Sequence, residues 1–348
     1  MKDNSLSRRT LLRALGLLGL GAACAPAPSL AAVCLTETGP DAGNRRMVAE
    51  NRFLMGTFVA ITAVHDSRSR AEHAMGLAFE EIERLSAIFD RHRNDTPVSH
   101  LNDTGVLRDA DRELREVVQE SLAYARLSGG AYDPTVLPVV ELLKAKANPT
   151  GRMDLSDGEL REALSLVDSN AVRVSGNDIR LTRRGMGLTL DGMSKGYIVD
   201  RASEVLSANG VTDHLINAGG DMRACGERAP GKPWTVAIED PRGRGDYPAL
   251  VHLRDAAIAT SGGYEVRYDA TGSHHHVVDP RTAKSPTRSI SVSVIAPSVM
   301  RADALSTAGF VLPPREAVRM IDAVEGAECM IVGNTGAKTR SARWRAIG

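Results

Sequence analysis

Nine short stretches of strand-forming residues lie between Val172 and Ala296, and most are separated by turns too short to hold a helical crossover. They are Val172–Val174, Ile179–Leu181, Gly187–Leu190, His214–Asn217, Trp234–Ile238, Val251–Leu253, Ile258–Thr260, Val277–Val278 and Val292–Ala296. Strands joined this closely pair antiparallel, because a parallel neighbour needs a connection of a dozen residues or more. The spacing therefore predicts an α+β fold, largely antiparallel sheet with flanking helices, rather than a doubly wound parallel sheet. One helix, about Gly196 to Asn209 with Gly210 at its C′ position, interrupts the run.

Upstream, Phe53 to Val64 alternates with β-branched residues and is predicted as a single half-buried strand. Apolar residues then recur at helical spacing over Ser69 to Phe89, and again at Leu114, Val117, Val118, Leu122 and Ala125. The second of these helices should close at Ser128-Gly129-Gly130. Ser156-Asp157-Gly158-Glu159 has the form of a capping box opening a third. Two more helices are expected from Ala302 and from Arg315.

The N-terminus narrows location. Ser7-Arg8-Arg9-Thr10-Leu11-Leu12-Arg13, a short apolar run from Leu15 to Ala23 and small residues around Ala31 form a twin-arginine signal. Residues 1–32 are expected to be that signal, 33–50 a mobile polar linker, and 51–348 the working domain, exported to the periplasm. Cys24 is the alternative, a lipid-attachment site, but Gly21 stands where such sites prefer a larger aliphatic residue. Cleavage near Ala31 or Ala32 is the favoured reading. It would leave Cys34, Cys225 and Cys329, an odd count with no CxxC pair, so neither a disulfide scaffold nor a thiolate metal site is expected. A formal charge of zero supplies no footprint for a phosphate backbone, so no nucleic-acid partner is expected. No apolar stretch in the mature chain approaches the length of a spanning helix.

Several short segments are too rich in Gly, Asp and His for ordinary core. Lys195, in Asp191-Gly192-Met193-Ser194-Lys195-Gly196, stands where a Gly-bearing turn enters a helix, so free N–H groups and the positive helix end would face an anion. A phosphate suits that place, and so does a solvated helix-start lysine. Asp303 and Thr307 are four apart on a helix and share a face. They could hold one hard cation such as Mg²⁺, or Asp303 could simply cap the helix. Consecutive strand residues face alternate ways, so His274, His275 and His276 cannot easily converge on one ion. His276 and Asp279 could handle a proton or could belong to a plain Asp-Pro turn. Asn217-Ala218-Gly219-Gly220-Asp221 permits close backbone approach.

Taken in order, Met55–Thr57, Asp133–Val136, Gly192–Tyr197, Asn217–Asp221, Thr260–Gly262, His276–Thr282 and Asp303–Thr307 resemble the motif set of the ApbE family of FAD:protein FMN transferases. The likeness spans about Met47 to Val332. It implies a tunnelling-fold-like core, an FAD site lined by Met55, Tyr132, Asp133, Lys195 and His276, and Mg²⁺ on Asp303, Thr307 and the carbonyl of Ser194. It also implies phosphoryl transfer, in which a Ser or Thr hydroxyl of an acceptor flavoprotein attacks the FMN phosphorus of FAD and AMP departs, with His276 or Asp279 as the base.

The chain departs from the family pattern at three places: Thr189 stands for the usual Asp, Asp191 for a Gly, and Ala283 for the Gly after Pro-x-Thr. Ser194 also replaces the usual Ala, which is harmless if only its carbonyl is used. With the twin-arginine signal these changes are similar to the accessory flavin transferases of nitrous-oxide respiration, whose acceptor would be a membrane-bound respiratory flavoprotein or regulator. Two rival functions remain: hydrolysis of FAD to FMN and AMP, told apart by whether AMP release depends on acceptor, and a flavin-binding assembly factor that turns nothing over.

Overall fold

The computed structural model describes residues 32–34, 45–243, 247–344 and 346–347. The twin-arginine segment, Cys24 and Ala31 lie outside the described residues. The expected linker is ordered where it approaches the domain: residues 46–50 belong to a strand, and Ala32–Cys34 pair antiparallel with residues 236–238.

The strand predicted over Phe53–Val64 is instead a hairpin. Strands β1 (Arg46–Leu54) and β2 (Thr57–His65) pair in continuous register from Arg46 with His65 to Leu54 with Thr57. Met55 and Gly56, with φ of 53° and 71°, make the two-residue turn between them. Two left-handed residues match the twist of a hairpin, and this is what the alternation of Phe53–Val64 conceals.

Beyond it come β3 (Asp213–Ala218), β4 (Asp221–Cys225), β5 (Ala256–Gly262), β6 (Ser289–Ala296), β7 (Glu328–Gly333) and β8 (Lys338–Arg340). These eight strands form one antiparallel sheet in which β1, β2, β3, β4, β5, β6, β7 and β8 lie side by side in chain order. The two edge strands do not pair with each other, so the sheet is open rather than a closed barrel.

Period-2 alternation explains why these strands read as nearly continuous apolar runs. Val59, Ile61, Ile216, Ala218, Ala257, Ala259, Val292 and Val294 face a core shared with helices. Leu215, Met222, Ala224, Ile258 and Met330 face a second core, against Trp234–Ile238 and Ala249–Leu253 of a small antiparallel sheet. A third small sheet joins residues 106–107, 178–181 and 172–175.

Two of the expected strands are absent. Residues 187–190 form no ladder, because the Asn102 side chain brackets Leu188, donating to its carbonyl and accepting from its N–H at 2.9 and 2.7 Å, while Thr189 N–H donates to the Pro134 carbonyl. Val277 and Val278 are buried in a loop between β5 and β6. The capping box at Ser156 and Glu159 is formed as read, opening the helix Asp157–Ser165.

Three helices set up the site: α1 (Arg68–Phe89), α2 (Ser194–Ala208) and α3 (Val299–Val311). α2 lies against both of the others. At its crossing with α3 the backbones nearly touch, since a methyl group added at Gly196 would sit 2.7 Å from Met300 N and Cα. Asp200, one turn on, receives the N–H groups of Val299 and Met300 at 2.9 Å each and so caps α3 from outside. Gly196→Ala is therefore expected to cost at least the ~1–3 kcal/mol of ordinary overpacking, because backbone cannot yield as a side chain can. Gly76→Ala, in α1 with nothing within 4 Å of the added methyl, should be neutral or stabilising. Thermal unfolding of the two variants checks the contrast. Among the described residues no helix is long and apolar enough to cross a membrane.

Candidate active site

The crossing of α2 and α3 fixes which side chains meet. α2 opens at Ser194, so Lys195 projects from its first turn, and Asp303 stands in the first turns of α3. Lys195 Nζ lies 2.7 Å from Asp221 Oδ2, at the start of β4. The Gly219-Gly220 turn delivers that aspartate. Gly219 has φ 61° and lies so close to Thr57 that an added methyl would overlap its hydroxyl at 2.5 Å. Gly196 N–H donates to Asp303, whose second oxygen, Oδ2, is buried with no partner.

The electrostatics follow from two buried carboxylates sharing one amine. Burial, and then Asp221, hold Asp303 well above the usual carboxylate range despite Lys195. Burial opposes the charge on Lys195, but Asp221 and Asp303 outweigh it and keep the amine above its ordinary value. The cluster carries more acid than base and one acceptor oxygen without a donor. Thr307 lies one turn along α3 from Asp303, and its hydroxyl is 3.3 Å from Ser261 Oγ at the end of β5. Gly192 approaches closely: a methyl there would sit 3.1 Å from Thr307 Oγ1 and 3.3 Å from the Tyr132 ring.

Lys195, Asp221, Asp303 and Thr307 form one wall of a cleft. Tyr132, Asp133, Asp191, Gly192 and His276 line it too, together with Arg91, Glu265 and Tyr268. Tyr132 is buried, its hydroxyl 3.3 Å from Ser121 Oγ, and burial raises its phenol further above neutrality. Asp133 is mostly committed to its own turn, where Oδ1 accepts from the N–H and hydroxyl of Thr135 at 2.8 and 2.5 Å. Ser194 is buried at the start of α2.

The three histidines diverge, although they lie in the loop between β5 and β6 and not in a strand. His274 Nδ1 meets Asp269 at 2.6 Å, His275 Nε2 the Pro286 carbonyl at 2.9 Å, and His276 Nδ1 the Val266 carbonyl at 3.4 Å. Only His276 lines the cleft. Burial pushes its imidazole down to about 4, with the Val266 carbonyl opposing, so the ring is neutral near pH 7. Among the described residues no cluster of three His, Cys, Asp or Glu side chains could hold a metal ion.

Three expected residues, Ser194, Asp279 and Met55, are not brought into the cleft lining. Asp279, the alternative base, has both oxygens on Arg281, at 2.8 and 2.9 Å, and does not line the cleft. Met55 sits at the tip of the β1–β2 hairpin, packed against the core. Its φ of 53° is uncommon for a residue with a side chain and marks a constrained turn. Ala283 likewise holds φ 57°, so the left-handed backbone of the turn is kept where the family pattern has Gly.

Arg91, Glu265 and Tyr268 were not singled out from sequence. Arg91 sits in the polar run Asp90-Arg91-His92-Arg93 after α1, without a marker, while Glu265 directly follows Thr260–Tyr264, the one hint available. Burial, reinforced by Asp221, pushes Glu265 up to about 7 although Lys195 opposes it.

Residues 55–331 match the model of the ApbE family. The FAD:protein FMN transferase of Treponema pallidum (strain Nichols) is 29% identical over 325 residues, covering 86% of this chain and 89% of that protein. The FAD:protein FMN transferase of Haemophilus influenzae is 27% identical over 315 residues, covering 86% and 88%. Among solved structures, the ApbE protein of Thermotoga maritima superposes with a TM-score of 0.76 at 31% identity, covering 85% of this chain and 97% of that one. The flavin transferase ApbE of Vibrio cholerae gives 0.75 at 25% identity, covering 86% and 98%.

Proposed function

We propose that this chain, which belongs to the ApbE family, is a Mg²⁺-dependent FAD:protein FMN transferase of the periplasm. It would move FMN from FAD to a Ser or Thr hydroxyl of an acceptor flavoprotein and release AMP. The relatives named for this activity support it. The observation that carries it is the Lys195–Asp221–Asp303 cluster, with its unpartnered Asp303 oxygen, lining a cleft that also holds a neutral histidine.

The residues present fit a hard cation. A buried carboxylate oxygen without a donor, with a hydroxyl one turn away, is the donor chemistry that Mg²⁺ takes beside substrate phosphates. Asp303, Thr307 and the Ser194 carbonyl would hold it, and the ion when bound would offset charge on the FAD diphosphate. Lys195 adds a fixed positive charge at the opening of α2, where the helix end favours the same anion. Tyr132 and Gly192 line the cleft beside each other. His276 accepts the proton of the acceptor hydroxyl as its oxygen forms the new bond to the FMN phosphorus; the diphosphate P–O bond breaks and AMP carries the charge away.

The twin-arginine signal and the Thr189, Asp191 and Ala283 departures support a periplasmic, membrane-bound respiratory acceptor, of the kind that regulates nitrous-oxide respiration.

His276→Ala should lower transfer by roughly 10²- to 10⁴-fold, with Asp279→Ala close to the parent. Full transfer by His276→Ala would remove the base assignment. With His276 titrating at about 4, the free base persists throughout pH 6–8 and is lost only as pH falls toward 4. A His276-dependent loss of rate centred near pH 6.5 would contradict this. AMP release that ignores acceptor would favour FAD hydrolysis instead.

A further inference from the structure

We propose that Arg91 is a positioning residue for the anionic substrate: its guanidinium neutralises Asp191, whose carboxylate would otherwise repel a diphosphate entering the cleft. The proposal rests on the flavin-transfer reading of that cleft.

Arg91 follows the C-terminus of α1, yet its side chain is only 9% exposed. Its Nε and Nη2 lie 2.9 and 2.8 Å from Asp191 Oδ2, and Nη1 is 2.7 Å from Glu141 Oε1. One guanidinium thus ties the end of α1 to the helix Leu137–Ala145 and to the turn that opens α2.

Two observations separate this contact from an ordinary surface clamp. Arg91 and Asp191 both line the cleft, alongside Lys195 and His276. The Asp191 side chain is 55% exposed and its charge acts as a minor influence on His276 and Tyr132, so it faces both solvent and the cleft.

Asp191 itself has no left-handed φ, so no glycine is needed there and the carboxylate is tolerated on backbone grounds. Its cost is electrostatic. It places a negative charge in the same turn that presents Lys195 to an anion, and Arg91 supplies the compensating charge from a fixed, nearly buried position.

The test is a double-mutant cycle on the full mature chain. FAD dissociation constants are read by flavin fluorescence, and KM and kcat by AMP release with acceptor, for the parent, Arg91→Ala, Asp191→Asn and the double variant. Arg91→Ala should weaken FAD binding roughly 10-fold, the scale of an uncompensated unit charge a few ångström away in a largely aqueous dielectric, since the Asp191 side chain is 55% exposed, and should raise KM more than it lowers kcat. Adding Asp191→Asn should restore binding to within about 2-fold of Asp191→Asn alone, since the repelling charge is gone. Unchanged FAD binding in Arg91→Ala, or a double variant as weak as Arg91→Ala, would overturn the proposal and leave Arg91 a structural clamp. If Arg91→Ala fails to fold, Arg91→Lys keeps the charge while losing the fork: it should bind FAD nearly as the parent, and a loss equal to that of Arg91→Gln would count against charge compensation. Inorganic pyrophosphate, followed by thermal shift, separates the two readings. A parent that binds pyrophosphate but not FAD defeats the flavin assignment, while the same variant pattern with pyrophosphate still decides the role of Arg91.

Discussion

Asp303→Asn is expected to reduce FMN transfer by at least ~10²- to 10³-fold, the scale for loss of one charged stabilising group in a transfer site, without destabilising the apo protein. Asp303 is buried, its Oδ2 has no partner, and both burial and the nearby Asp221 disfavour its charge. The isosteric amide removes a charge that folding has to accommodate, and its carbonyl oxygen can still accept from Gly196 N–H. Function and stability should therefore separate, as they do where a site holds charge for its ligand rather than for the fold. AMP release with acceptor, FAD and Mg²⁺, read beside thermal unfolding in EDTA, tests both halves. Retained transfer would show that the Asp303 charge is not needed for the reaction, and a clear fall in Tm would show that Asp303 serves the fold.

Lys195→Met should behave oppositely. It leaves Asp221, with a side chain only 4% exposed, without its counter-ion. Removing one partner of a buried ion pair costs about 3–5 kcal/mol, more than the pair itself contributes. Near pH 7 the variant should unfold at lower urea concentration and lose FAD affinity as well. Lys195→Met with Asp221→Asn should regain most of the stability and none of the activity, because the buried charge is gone while the phosphate has still lost its amine. A single variant as stable as the parent would mean that water reaches Asp221 and that the pair is a surface contact.

The sequence was most informative where local chemistry and tertiary role coincide. The Ser156 capping box and the Gly210 helix end depend on a few neighbouring residues, and both are formed. The Asp303–Thr307 spacing likewise put two oxygen-bearing side chains on one helix, and the structure carries both into the cleft. Antiparallel pairing was legible from short connections, but the hairpin at Met55-Gly56 was not, since a Met at positive φ carries no turn signal. The strand expected over residues 187–190 failed for a long-range reason: Asn102, distant in sequence, takes the backbone bonds that a ladder would have used. Asp279 looked equal to His276 as a base because both sit in one motif. Only the fold shows Arg281 occupying the carboxylate and the cleft admitting the imidazole. Arg91 could not be found by any local pattern, because its role depends on two carboxylates from other parts of the chain.

The central claim is tested most directly by mass spectrometry of an acceptor fragment, taken from a membrane-bound flavoprotein regulator of nitrous-oxide respiration, after incubation with this protein, FAD and Mg²⁺. A mass gain of one FMN joined as a phosphodiester, mapped to a Ser or Thr and absent with Asp303→Asn, is the predicted result. An unmodified acceptor with FAD intact and bound would contradict it and would make this chain a flavin carrier.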